Sequence, residues 1–326
     1  MRAMSLQKCQ KSLRIVIRKI GERAFVMKKR RYLQSWIVAA LSLAIVAAPA
    51  TADPNVILVH VHGLSYSSDG KRLFIPSHYG LAIYSGGRWS KAPGPEHDFM
   101  GFSAARDALY SSGHPAQGSS LRNPFGLLKS RDGGKTWESL GLTGEADFHV
   151  MAVSHGTSAV YVFAPVANSR MHEPGIYYTS DDGKSWKRAG GAGLAGRIAA
   201  LAAHPTEANV VAAATDAGLF VSENNGDQFK PLFSSGQVTS VQFDLDGAHL
   251  WFGGYEERAT LARIALKTQK REAIPIPAIT KDAVAYIAQN PANSKEYAVA
   301  TFTRDVYLSN DGGRTWKQIA AHGETR

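Results

Sequence analysis

Short runs of alternating apolar and polar residues, separated by turns rich in glycine, aspartate and serine, recur along most of the chain. One stretch shows the pattern clearly, with candidate strands at 148–153, 159–163, 175–179 and 185–188. Alternation with a period of two is typical of strands that bury one face. The pattern therefore predicts units of four short antiparallel strands joined by tight turns.

Several of these turns share one eight-residue motif. It has Ser or Thr first, Asp or Asn third, Gly fifth and Trp or Phe last. The four full copies contain Asp132 and Trp137, Asp181 and Trp186, Asn224 and Phe229, and Asp311 and Trp316, and a shortened copy ends at Trp89. The aromatic ends recur at intervals of 43 to 49 residues, except for a last interval of 87 that fits two units. A degenerate unit is therefore expected near 265–275.

The repeats determine the expected fold class, because self-similarity at such a period marks arrays and propellers. Six units of about 46 residues fill the 274 residues from 53 to 326. We predict an all-β, six-bladed β-propeller, with seven blades or a double-sheet sandwich as less favoured alternatives. The motif would form the hairpin between the third and fourth strands. Its Asp or Asn would accept turn amides, and its aromatic residue would pack between sheets.

The net charge of +10 is confined to the first part of the chain. Residues 1–31 hold eleven Lys or Arg and one acid, and residues 32–52 hold no charge. From Asp53 onward, 26 basic residues balance 26 acidic ones. The folded part is therefore neutral, which removes the electrostatic case for a nucleic-acid partner.

The leader has the order of a secretory signal peptide over 27–52. A basic start precedes the apolar run 36–47 and the small residues at 50–52, so cleavage is expected before Asp53. The alternative is an uncleaved anchor, but the run is shorter than the roughly 20 residues of a spanning helix. Residues 1–26 are interpreted as an N-terminal extension. We expect a periplasmic or extracellular protein with no membrane span in its mature chain.

The only cysteine, Cys9, also lies in the leader. The mature chain is therefore expected to have no disulfide, thiolate zinc site, cysteine nucleophile or lipid-anchored cysteine. Its histidines are distributed unevenly instead. Seven fall on the face opposite the motif turns, or on innermost strands, in blades 1 to 3: His60, His62, His78, His97, His114, His149 and His172.

Alignment of the innermost strands gives two expected levels in the central funnel. The upper level holds His60, Asp98 and Asp147, with Arg197 further around the ring, and the lower level holds His62, Met100 and His149. Long loops of blades 2 and 3 add further polar residues over the same sector. The candidate ligand-binding residues are His60, His97, His114, Arg170, His172 and Arg197.

Two kinds of chemistry fit these residue types. His62, Met100 and His149 are candidate metal ligands, because imidazole suits borderline divalent ions and a thioether shifts preference toward copper. Asp98 and Asp147 are candidate catalytic carboxylates for glycan hydrolysis. The motif turns could also bind Ca²⁺, although solvated structural turns are favoured.

Across 55–320 the chain resembles bacterial exported Asp-box, or BNR-repeat, propellers that are often labelled glycosyl hydrolases. The resemblance is carried by the motif turns and by the segments 60–81, 97–102, 111–115 and 146–152. It places the chain near sialidase-like and sortilin-like propellers and implies glycoside hydrolysis. The sialidase Arg-Ile-Pro motif is matched only by residues 74–76, where Phe74 replaces the arginine. Classical sialidase activity is therefore not expected.

Two further functions remain open. One is a metal-binding protein of the cell envelope. The other is a protein-interaction scaffold, as the resemblance to sortilin-like receptors and to the Asp-box assembly factor of photosystem II implies. The candidate partners are accordingly a glycan, a metal ion or a protein.

Overall fold

The structure is a computed structural model that describes residues 56–326, and every regular element in that range is a β-strand. The expected N-terminal extension, signal peptide and cleavage point before Asp53 lie outside the described residues. Within the described part of the chain, no helical segment has the length and hydropathy needed to cross a membrane.

The strands form six antiparallel sheets, each built from consecutive strands. Blade 1 consists of β1 (Ser65–Tyr66), β2 (Leu73–Ser77), β3 (Gly80–Ser85) and β4 (Arg88–Lys91). Blade 2 consists of β5 (Asp98–Ala104), β6 (Leu109–His114), β7 (Leu127–Ser130) and β8 (Glu138–Gly141). Blade 3 consists of β9 (Met151–Val153), β10 (Val160–Ala164), β11 (Gly175–Thr179) and β12 (Lys187–Arg188).

The second half of the ring is built in the same way. Blade 4 consists of β13 (Ile198–Ala203), β14 (Val211–Thr215), β15 (Gly218–Ser222) and β16 (Lys230–Phe233). Blade 5 consists of β17 (Gln237–Phe243), β18 (His249–Glu256), β19 (Arg258–Ala265) and β20 (Arg271–Ala273). Blade 6 consists of β21 (Val284–Asn290), β22 (Asn293–Thr301), β23 (Val306–Ser309), β24 (Lys317–Ala321) and β25 (Glu324–Thr325).

The predicted all-β, six-bladed propeller is confirmed. The degenerate unit is blade 5, whose last hairpin joins β19 to β20 inside the expected interval 265–275. The four strands expected in blade 3 are present, although the first and last are shorter than the sequence pattern suggested. Turn spacing therefore set the number of blades correctly.

The core lies between neighbouring blades. One buried cluster joins Leu73 and Ile75 of blade 1 to Ala298 of blade 6, and another joins Tyr110 of blade 2 to Val160 of blade 3. Central strands are buried on both faces, as in β14, where every residue is buried. Blades of this kind stabilise one another through packed apolar faces.

The four motif turns each join the third strand of a blade to the fourth. In the first, Asp132 Oδ1 accepts the amides of Lys135 at 3.0 Å and Thr136 at 2.9 Å. Bonds from the Thr136 backbone and hydroxyl lower the pKa of Asp132 to about 2. The Trp137 ring packs on Phe99, with ring centroids 4.6 Å apart.

The ring is closed where the first described residues meet the last strand. The Leu58 amide donates to the Gly323 carbonyl at 2.8 Å, and Ile57 pairs with Glu324. The Trp89 indole of blade 1 donates to the carbonyls of Ile319 and Arg326, each at 3.2 Å. These contacts form the seam between blades 1 and 6.

The second-to-third strand turns and the links between blades share one face of the ring, which we call the mouth face. Each innermost strand begins there and runs toward the motif turns. Residues just before an innermost strand therefore lie at the mouth of the central channel. This topology brings together side chains that are far apart in sequence.

Candidate functional site

The central channel contains a cavity of about 320 Å³ lined by the innermost strands of all six blades. Blades 4 to 6 line it with small side chains such as Ala199, Thr239 and Ala285. Blades 1 and 3 contribute His62 and His149. The imidazoles that line the channel therefore all come from blades 1 and 3, where His155 of blade 3 is the third.

Three histidines converge at the boundary of blades 1 and 2. One ring nitrogen from each of His60, His62 and His78 lies within 4.8 Å of the others. Asp98 of β5 closes the group, with its Oδ2 2.6 Å from His78 Nδ1. We call His60, His62, His78 and Asp98 the blade 1–2 cluster.

Two atoms of this cluster are buried and have no hydrogen-bond partner among the described residues. They are His62 Nε2 and Asp98 Oδ1, which face each other at 3.6 Å. Two ligands bound about 2.1 Å from a tetrahedral ion lie roughly 3.4 Å apart, from metal–ligand distances typical of zinc. The separation of the two atoms is thus close to that of two ligands of one ion.

The protonation state of His62 suits a ligand. Burial lowers its pKa to about 4, and the nearby His78, His60 and His149 lower it further against the opposing effect of Asp98. The imidazole is therefore neutral at physiological pH, which leaves a nitrogen lone pair free for a metal.

A second group lies at the boundary of blades 2 and 3. Asp147 Oδ2 is 2.6 Å from His149 Nε2 and 3.1 Å from His114 Nε2. The other ring nitrogen of His114 bonds Asn123 Oδ1 at 2.7 Å. We call His114, Asp147 and His149 the blade 2–3 cluster.

Within this cluster, Asp147 and His149 stabilise each other's charged forms. Burial alone would raise the pKa of Asp147, but bonds and attraction from His149 and His114 outweigh it and lower the pKa below its usual range. The bond to Asp147 raises the pKa of His149. Asp147 is therefore an ionised carboxylate at neutral pH.

Local structure explains how each side chain reaches the mouth. His78 occupies the turn between β2 and β3, and Asp98 and His114 are paired residues at the mouth end of β5 and β6. Asp147 and His149 flank Phe148, which is buried with 1% exposure. This segment precedes β9 and bends at 149–150, and the Asp147 and His149 side chains meet there, with Asp147 Oδ2 2.6 Å from His149 Nε2.

Several other candidate residues have different surroundings. His97 packs on the Phe125 ring at 4.9 Å and accepts the Ala116 amide at 3.0 Å. Arg170 donates to the Gly183 carbonyl in a motif turn, and His172 is exposed on its loop. The structure places none of these three in either cluster.

Two more candidates also lie outside the clusters. Arg197 pairs with Asp216 at 2.9 Å, and its side chain is 93% exposed. Met100 is buried in β5 and is not among the residues that line the cavity. The expected set His62, Met100 and His149 is thus divided, since its two histidines belong to different clusters.

The expected funnel levels differ from the structure by one position in blade 2. The predicted level of His62 and Met100 implies that Gly63 lies beside Gly101, whereas the structure pairs Gly63 with Phe102. A register shift between Met100 and Ser103 disrupts β5, and Gly101 there has a φ of 53°. A bulge of this kind adds a residue that a strict period of two does not anticipate.

Two contributors were not assigned a role from the sequence. The sequence pattern places His78 among the mouth-face histidines but not beside Asp98, and Asn123 belongs to the long loop of blade 2. The signal for His78 was its place in the tight turn at 77–80, which fixes it at the mouth.

A third group of potential ligands, formed by Asp244, Asp246 and His249, lies in blade 5 on the opposite face. Its buried member is already neutralised, because Arg263 Nη2 lies 2.7 Å from Asp244 Oδ2. The Tyr297 hydroxyl donates to Asp244 Oδ1 at 2.7 Å. This group acts as an internal ion pair.

No protein-family model and no curated protein sequence matches the chain. Its fold is similar to that of a GH74 xyloglucanase from Xanthomonas campestris, with a TM-score of 0.53 and 18% identity. That match covers 82% of this chain and 46% of the xyloglucanase, so the chain spans about half the length of that enzyme.

Two other solved structures are similar over more of their own length. TolB from Acinetobacter baumannii aligns with a TM-score of 0.56 and 12% identity, over 82% of this chain and 65% of TolB. YCF48 bound to a D1 peptide aligns with a TM-score of 0.50 and 19% identity, over 84% of this chain and 85% of YCF48. At sequence identities this low, the structural similarity shows a shared propeller fold and nothing more.

Proposed function

We propose that this chain is an exported propeller that binds a divalent transition-metal ion at the mouth of its channel. The ligands are His60, His62 and His78, with Asp98 beside them. The observation that carries the proposal is the pair of buried atoms without partners, His62 Nε2 and Asp98 Oδ1, 3.6 Å apart within three converging imidazoles. Unpaired buried polar atoms are costly, and a bound ion would satisfy both.

The bond between His78 and Asp98 supports this assignment. His78 Nδ1 lies 2.6 Å from Asp98 Oδ2, so the Nδ1 proton is shared with the carboxylate and Nε2 is left as the ligand atom. Metal-binding histidines commonly donate their second N–H to a carboxylate, which fixes the ring and raises its basicity. Asp98 thus orients one ligand and offers a free oxygen as another.

The donor set indicates the class of metal. Several imidazoles with a carboxylate suit Zn²⁺, Cu²⁺ or Ni²⁺, whereas Cu⁺ prefers sulfur ligands. Met100 does not line the cavity, so the imidazoles are the main ligands of the proposed site. We therefore propose a borderline divalent ion.

Glycoside hydrolysis receives less support from the same residues. A general acid for that reaction needs a raised pKa, but the pKa of Asp147 is lowered by its histidine partners. Asp98 Oδ2 is occupied by its 2.6 Å contact with His78 Nδ1. Phe74, at the position of the sialidase arginine, is buried in the core with 1% exposure.

Elemental analysis of untagged protein, purified from the compartment to which it is exported, tests the proposal. We expect bound zinc, copper or nickel that is lost in His62→Ala. His172→Ala is the matched control, because it removes an exposed histidine of the same face outside both clusters. A metal-free wild type that also fails to bind added Zn²⁺ at micromolar concentration would refute the proposal.

A second candidate function, peptide docking, is favoured by an apolar rim around the same mouth. Large apolar side chains stand exposed in the second-to-third strand turns of blades 1, 2, 3 and 6: Tyr79, Leu121, Val166 and Phe302, with 54% to 62% exposure. Exposed apolar residues gathered on one face are typical of interaction surfaces. The proposed occupant is an extended apolar peptide, and the YCF48 structure holds a D1 peptide on a similar fold.

Peptides selected from a random display library on the wild-type protein provide the test. The double variant Tyr79→Ser and Phe302→Ser should weaken the best apolar peptide by tenfold or more, measured by calorimetry. Ile57→Ser is the control, since Ile57 is 61% exposed but lies at the seam. Equal affinity for the wild type and the double variant would exclude the rim as the docking surface.

A further inference from the structure

We infer that the blade 2–3 cluster is a second, separate metal site, so that the mouth holds two divalent ions side by side. Its ligands are His114 Nε2, Asp147 and His149. The inference rests on the proposed function for its chemistry, but it uses none of the residues of the blade 1–2 cluster.

The convergence of ligand atoms is the first argument. One atom from each of His114, Asp147 and His149 lies within 4.8 Å of the others, which matches the compactness of the blade 1–2 cluster. Two histidines and one carboxylate form a recurrent ligand set for divalent metals and leave other coordination positions open.

The positioning of the His114 ring is the second argument. One ring nitrogen, Nδ1, lies 2.7 Å from Asn123 Oδ1, and the other, Nε2, lies 3.1 Å from Asp147 Oδ2. Histidines that bind metals commonly hold their second ring nitrogen in a hydrogen bond, which fixes the orientation of the ring. The contact with Asn123 therefore holds His114 Nε2 toward Asp147, where a shared ion would lie.

An unsatisfied atom is the third argument. Asp147 Oδ1 is buried and has no hydrogen-bond partner among the described residues, although Asp147 Oδ2 faces two histidines. Buried carboxylate oxygens normally have partners. The free oxygen gives the cluster a further ligand atom for the ion.

The two clusters are separate because blade 2 contributes to them from different strands. Asp98 of β5 contacts His78 of blade 1, whereas His114 of β6 contacts Asp147 in the link to blade 3. The sets share no ligand. Loss of one site should therefore leave the ligands of the other in place.

The two sites differ in access to solvent. Each cluster has one exposed histidine, His60 or His149, but only the blade 1–2 cluster has two side chains as buried as those of His62 and Asp98, at 16% and 15% exposure. With two imidazoles, one carboxylate and an open side, the second ion keeps water or a small anion as exchangeable ligands. We expect it to be the more weakly held ion, removed first by a chelator.

Calorimetric titration of the metal-free protein with Zn²⁺ alone tests the inference, with stoichiometry as the readout. The wild type should bind two ions, His114→Ala one, and His62→Ala one. His172→Ala should still bind two. Asp147→Asn provides a second variant that preserves side-chain volume, and thermal unfolding confirms that each variant is folded.

The outcomes separate the two proposals. Two ions, with one lost in each single-site variant, support the second site. One ion that is lost in His62→Ala but unaffected by His114→Ala and Asp147→Asn overturns the second site and leaves the proposed function standing. No bound ion overturns both, and two ions lost together in either variant overturn the separateness of the sites.

Discussion

Asp98 and His114 are directly paired residues of β5 and β6, yet they serve opposite boundaries of blade 2. Asp98 bonds His78 of blade 1 at 2.6 Å, and His114 lies 3.1 Å from Asp147 in the link to blade 3. This pairing places the two clusters next to each other at the mouth.

Removing the charge of Asp98 tests its role in orienting His78. Asp98→Asn keeps the side-chain shape but removes the carboxylate that fixes the His78 tautomer. We expect Zn²⁺ affinity at the blade 1–2 cluster to fall about 10- to 100-fold, as for other groups that orient metal ligands. Competition with a chromophoric chelator measures this change. Asp107→Asn, in an exposed pair with Arg131, is the control and should leave the affinity unchanged.

Asn123 provides the corresponding test at the blade 2–3 cluster. Asn123→Ala removes the partner of His114 Nδ1, so the ring is no longer held with Nε2 toward Asp147. We expect the Zn²⁺ affinity of the blade 2–3 cluster, the weaker of the two, to fall about 10-fold or more. The affinity of the blade 1–2 cluster should stay the same. Asn168→Ala, on the neighbouring blade 3 loop, is the control. A fall in the tighter affinity instead would contradict the assignment of Asn123.

Substitution of Gly101, compared with substitution of Gly118, distinguishes backbone strain from a steric clash at the bulge of β5. It has a φ of 53°, and a Cβ there would overlap the Phe148 carbonyl between Asp147 and His149. Gly101→Ala should lower the free energy of unfolding by about 1–3 kcal/mol. It should also weaken Zn²⁺ binding at the blade 2–3 cluster. Gly118→Ala shares a positive φ, but its Cβ meets open space, so denaturant unfolding should show a smaller loss.

The motif turns give the fold a dependence on acid. Bonds from the Ser185 hydroxyl and backbone lower the pKa of Asp181 to about 2, against about 3.9 in an unfolded chain. A lowered carboxylate pKa stabilises the fold above pH 4, and this contribution is lost as the pH falls from about 4 to 2. Asp181→Asn should therefore be less stable at neutral pH and lose less stability over that interval.

The motif turn of blade 4 allows the opposite substitution, because it has Asn224 where the other full copies have aspartate. Asn224 Oδ1 accepts the Gln228 amide at 3.0 Å, as a neutral counterpart of the aspartates. Asn224→Asp should add stability above pH 4 and increase the loss below it. Thermal unfolding at stepped pH measures both variants. If they changed in the same direction, the carboxylate charge would not be the cause.

The fold was predictable from the sequence because turn chemistry repeats with a measurable period. Glycine and Asp or Asn residues in the turns, and the aromatic ends, fix the hairpins, and hairpins at regular spacing fix the blades. Even the unit without a motif, near 265–275, was found by spacing alone. Strand ends were less predictable, as in β9, which begins at Met151 rather than 148.

The candidate site was predictable only in part. Period-two alternation predicts that Asp147 and His149 face the same way, and in the structure they meet beside the buried Phe148 at a bend rather than in an extended strand. The bulge in β5 shifted blade 2 by one residue and divided the expected set that included Met100. The positions of loop side chains were the hardest to predict from the sequence. The contacts of His97 with Phe125 and of Arg170 with Gly183 depend on tertiary packing.

The seam between blades 1 and 6 would give a metal ion bound at the blade 1–2 cluster a mechanical role. Leu58, which bonds Gly323 at the seam, is followed two residues later by His60 and four residues later by His62. Opening the ring at the seam would pull both histidines away from His78. An ion held by all three histidines would therefore stabilise the closed ring. The free energy needed to open the ring at the seam would rise with the free concentration of metal.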